Sequence, residues 1–133
     1  MNETEFVALL NRHIADLAAL SIHQAFEDSV PRYQDSAAKI QRLLTGQVVD
    51  GFGEFLKRFP QTDGWLPKRP EDLDPMPASE IYFRLVAHRA GERWVENALL
   101  PAFQTGTYLR ALEKLRDGVS ELKMKPNTPE GML

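Results

Sequence analysis

The chain has 133 residues, 43% of them apolar and 26% charged, with a formal net charge of −3 and no cysteine. That length suits one domain able to bury roughly two thirds of its unfolded surface, and the composition is that of a folded chain. The missing thiols exclude disulfides, cysteine nucleophiles and sulfur-ligated zinc, and the mild acidity gives no global pull toward nucleic acid or an anionic membrane.

No apolar run approaches the roughly 18 residues needed to span a bilayer. The opening MNETEF has neither the basic start nor the apolar stretch of a secretory signal. The expectation is a cytoplasmic protein with no nucleic-acid and no membrane partner.

Taken in chain order, the first periodic stretch is TEFVALLNRHIADLAALSIHQAFEDS. Phe6, Leu10, Ile14 and Leu17 recur at steps of three and four, the signature of a helix with one apolar face. Asn2 and Glu5 stand at capping-box spacing, and Pro31 reads as the stop. A helix of about 25 residues spans roughly 37 Å at 1.5 Å per residue, long for so small a domain, which argues for a partner helix covering one end.

In QDSAAKIQRLLTG, Asp35 or Ser36 reads as the N-cap, Ile40, Leu43 and Leu44 as the apolar face, and Gly46 as the C-terminal residue. Val48, Phe52, Phe55, Leu56 and Phe59 then predict a further helix ended by Pro60, with Gly51 and Gly53 marking a bend or close packing. Residues 60–78 hold five of the nine prolines and no usable period; they read as an extended loop pinned at Trp65 and Leu66. Ser79 reads as the cap of a long helix with two apolar faces, one through Ile81 and Leu85, the other through Phe83 and Ala87, bent at Pro101.

The last helix carries Tyr108, Leu112, Leu115, Val119 and Leu122 at heptad steps, a seam that meets another helix. No strand-period segment or internal repeat is visible. The reading is all-α: a helical bundle with long helices in a single domain over 1–122, followed by a disordered tail over 123–133.

Catalytic and metal-binding patterns have little support. His13 and His23 lie on different faces of one helix. His88 and Glu92 stand four apart with no third ligand nearby, and no H-E-x-x-H run occurs. No nucleophile elbow or phosphate loop is present. The basic residues are interleaved with acids and read as solvated faces. The chain is therefore not expected to be an enzyme, and no cofactor or metal is expected.

Three stretches resemble one family: LAALSIHQAF (17–26), GQVVDGFGEFLKRF (46–59) and FRLVAHRAGERWVENALLPAFQTG (83–106). The order of features is similar to that of RbcX, the helical assembly chaperone of the Rubisco large subunit. The most specific match is Arg84 to Arg89, followed by Pro101, Thr105 and Gly106. The resemblance covers a little over a third of the chain.

It implies a boomerang-shaped homodimer whose central groove holds an extended C-terminal segment of the Rubisco large subunit. Leu20, His23 and Gln24 fall at the groove, and Arg84 falls where the family makes its polar contact with the client. Leu20 and His23 stand where the family has tyrosines, the segment between Phe26 and Ala37 is shorter, and the 60–78 loop is longer. The alternative is a helical interaction or regulatory module with a different protein partner.

Overall fold

The computed structural model describes residues 2–23, 26–58, 66–91 and 100–126. Among the described residues six helices carry the fold: α1 (Glu3–His23), α2 (Phe26–Thr45), α3 (Phe52–Arg58), α4 (Ala78–Gly91), α5 (Leu100–Thr105) and α6 (Thr107–Asp117). Single 3-10 turns add Pro70–Leu73 and Val119–Leu122. The all-α reading stands. None of the described helices is long and apolar enough to cross a membrane.

The α1 helix starts as its sequence dictates. Asn2 has a short side chain whose Oδ1 accepts the Glu5 amide at 2.8 Å, and its own carbonyl accepts the Phe6 amide at 3.0 Å. One donor that a helix start leaves orphaned, the Glu5 amide, is thereby satisfied, and the Phe6 bond is the first of the regular ladder. The stripe of Phe6, Leu10, Ile14 and Leu17 is buried, as its spacing predicts.

The second element corrects the sequence reading. Pro31 does not end a helix; it lies inside α2, which begins at Phe26 and runs 20 residues to Thr45. Asp35 and Ser36 are therefore interior positions, not caps. Proline removes one backbone donor, and at the sixth residue of α2 that is an interior position rather than one of the first turn. Packing of Tyr33, Ala37, Ile40 and Leu44, all buried along one face, holds the remaining turns. Gly46 donates to the Arg42 carbonyl at 3.0 Å and closes the helix as expected.

The helix predicted from Val48 onward is shorter than its period suggests. Gln47–Val48 forms β1, which pairs antiparallel with β2 (Lys125–Pro126), Gln47 opposite Pro126 and Val48 opposite Lys125. Two-residue strands are too short to leave an alternation in the sequence. Gly51 has φ +108°, a left-handed value that favours glycine, and turns the chain into α3. A Cβ on Gly53 would meet nothing within 4 Å, so that glycine marks no close approach. β2 falls within 123–133, the stretch read from the sequence as a tail, and residues 127–133 lie outside the described residues.

Within the proline-rich stretch, Leu66 is half-buried against the core as expected, whereas Trp65 lies outside the described residues. The firmer anchor is Leu73, fully buried in the Pro70–Leu73 turn. Ser79 is not a cap: α4 begins at Ala78, and the Pro77 carbonyl accepts the Ile81 amide at 3.2 Å. Pro101 is the second residue of α5; residues 92–99, which link α5 to α4 and on which the bend expected at Pro101 depends, lie outside the described residues.

The heptad seam of the last helix is real but shared between two elements. Tyr108, Leu112 and Leu115 are buried on α6, and Val119 and Leu122 are buried on the 3-10 turn beyond Gly118. The α6 helix packs on α1, α4 and α5, α2 packs on α1 and α4, and together they enclose one core.

Candidate functional site

The α1 and α2 helices diverge enough to leave an open cleft of about 470 Å3 between them. Ala19 and half-buried Leu20 come from α1, and Pro31 and Ser36 from α2. Asp16, Arg32 and Asp35 give it charges of both signs. Lys39 holds Asp35 in an ion pair at 3.1 Å, one turn along α2. Both partners are more than half exposed, so this pair orients the Asp35 carboxylate and adds little stability.

Helix phase explains the cleft. On α1, Leu17 points into the core and is buried, whereas Leu20, three residues on, sits at the edge of that face. Pro31 brings a ring without an N–H to the opposite wall. An apolar floor and a mixed-charge rim suit an extended polypeptide, which brings both apolar side chains and polar groups.

The residues singled out from the sequence do not all meet here. Leu20 lines the cleft. His23 is the last residue of α1, and its side chain lies outside the described residues; Gln24 lies outside them altogether. Arg84 is elsewhere. It belongs to α4, only 8% exposed, with its Nε 3.9 Å from the Glu80 carboxylate one turn earlier. Glu80 is itself mostly covered, so the pair is held inside the protein rather than displayed at the cleft.

The sequence reading missed a second depression of about 320 Å3 beside the β1–β2 rung. Val48, Val49, Phe52, Tyr82, Phe83 and Val86 contribute apolar surface to it, and Val48 is an exposed large apolar side chain, at 41%. Its Phe52 and Phe83 rings pack on each other and on Phe55, with centroids 5.5 to 6.0 Å apart. The phenylalanine spacing was the available signal, but it was absorbed into a longer helix.

Burial holds His13 below the ordinary histidine pKa, a shift opposed by the Asp16 carboxylate and reinforced by Lys39 and Arg12. Among the described residues, no group of three or more histidines and carboxylates stands close enough to hold a metal ion.

Compared with protein-family models, with curated proteins and with solved structures, the chain matches none.

Proposed function

We propose that this protein is a peptide-binding assembly chaperone that works in the cytoplasm as a homodimer. Its client is the Rubisco large subunit, an extended C-terminal segment of which it holds against the α1–α2 groove. The observation that carries this reading is Leu20. The resemblance to RbcX assigns it to a groove, and it lines an open cleft between two long helices with an apolar floor and a polar rim. An apolar anchor buried there contributes about 1.5–3 kcal/mol, and ordering the extended segment offsets part of this gain. The product is reversible holding, which assembly requires, with no cofactor and no chemistry.

Capture of unassembled large subunit from an extract by the immobilised protein tests the reading, together with a dimer mass by light scattering at tens of micromolar. Absence of capture, or a monomer at that concentration, overturns it.

A second reading has its own observations. Arg84 is buried against Glu80, and the α6 seam is spent on the protein's own core, so neither offers a surface to a client or a second copy. Both favour a helical interaction module whose cleft serves a different protein partner. A saturable complex with another protein, lost on Leu20→Asp, in an extract where the large subunit is not captured, selects this alternative.

A further inference from the structure

The turn between α5 and α6 stands over a third cavity, partly enclosed and about 220 Å3 in volume. Its walls are Leu17 of α1, Tyr33 of α2, Phe103 of α5, and Tyr108 and Leu109 of α6. Tyr33 stacks on Phe103 with ring centroids 5.0 Å apart and planes 22° apart, and Phe103 meets Tyr108 edge-on at 5.0 Å. Three rings from three helices thus brace one another around a space, and such pairs prefer these offset and edge geometries.

The mouth is equally defined. Gly106 sits there at φ +82° and starts α6, and a Cβ on it would meet nothing within 4 Å, so the opening is unobstructed. Thr105 is not available to a polar guest, because its hydroxyl already bonds the Pro101 carbonyl at 2.9 Å and the Thr107 hydroxyl at 2.8 Å.

From this we infer that the cavity is a binding site for a small, neutral, single-ring aromatic molecule of phenol or indole size. Size is the first argument: an apolar cavity of about 150 Å3 accepts benzene, so about 220 Å3 accepts one substituted or fused ring. Charge is the second. None of the lining residues is ionised at neutral pH, and a charged guest would lose its hydration with no counter-charge in return. Wall chemistry is the third. Gln104 lines the cavity at its exposed side, while Leu17, Leu109 and the three rings give the apolar surface that a flat guest ring meets on several sides. The site is independent of the α1–α2 cleft and of the chaperone reading.

Indole and benzoate, titrated against the full chain, test this by ligand-detected NMR and amide chemical-shift mapping. Saturable indole binding is expected, with the largest amide shifts over 105–109 and benzoate about tenfold weaker or worse. Leu109→Trp fills the cavity from a half-buried position and lowers indole affinity about tenfold, as does Tyr33→Leu by removing a ring wall. No saturable indole binding, shifts centred outside 105–109, or equal affinity for indole and benzoate overturns the assignment. So does undiminished binding by either variant with native circular dichroism.

Discussion

The hydroxyl of Tyr82 donates a hydrogen bond to the backbone carbonyl of Leu44, 38 residues earlier in the chain. Leu44 is next to last in α2, so its carbonyl has no intrahelical donor. One buried side chain therefore caps α2 and ties it to α4, with the Gln47 carbonyl 3.4 Å from the same hydroxyl. Tyr82→Phe keeps the ring and removes the donor. Urea unfolding is expected to show a loss of about 1–3 kcal/mol with an unchanged m-value, because a buried acceptor is left unmade.

The same residue sets an alkaline limit. Burial pushes the Tyr82 phenol from its ordinary 10.0 up to about 12, and Tyr33 is raised by burial as well. The folded state thus holds these protons more tightly than the unfolded chain does. The Tyr82 contribution is fully present below pH 10 and is lost as pH rises from about 10 through about 12. A stability profile over that window is expected to fall, and to fall less steeply for Tyr82→Phe.

Two glycines predict opposite signs. A Cβ on Gly118 would stand 2.7 Å from the Ala78 Cβ, an atom fixed to the α4 backbone that cannot swing away. Gly118→Ala is expected to cost about 1–3 kcal/mol. Gly53 lies in α3 with open space around it, so Gly53→Ala is expected to gain up to about 1 kcal/mol. Thermal melts of the two variants decide both.

Arg84 and Glu80 form an ion pair with little exposure, and removing one leaves the other largely desolvated. A double-mutant cycle of Arg84→Met and Glu80→Gln is expected to show a coupling of about 1 kcal/mol or more. A coupling near zero would mean that the pair contributes nothing as a pair.

Much of the framework was legible because local rules and packing agree there. Asn2 caps α1, the stripe from Phe6 to Leu17 is buried, Gly46 ends α2, and the spacing from Tyr108 to Leu122 marks core. Pro31 was misread because the rule that proline stops a helix competes with tertiary packing, and the buried face from Tyr33 to Leu44 prevails. Leu73 was missed because a single 3-10 turn has no period to detect. The candidate site was legible in one residue only: Leu20 came from the resemblance. The cleft itself lies between α1 and α2, so neither helix encodes it alone, and the interior position of Arg84 depends on the elements packed around α4.

The most direct test of the central claim is fluorescence anisotropy with a labelled peptide from the C-terminal end of the Rubisco large subunit, titrated with the wild-type protein and with Leu20→Lys. The account predicts saturable binding in the range of about 1–100 µM for the wild type and at least about a tenfold loss for the variant, its circular dichroism unchanged. A flat titration for the wild type, or the same affinity for both proteins, would contradict it.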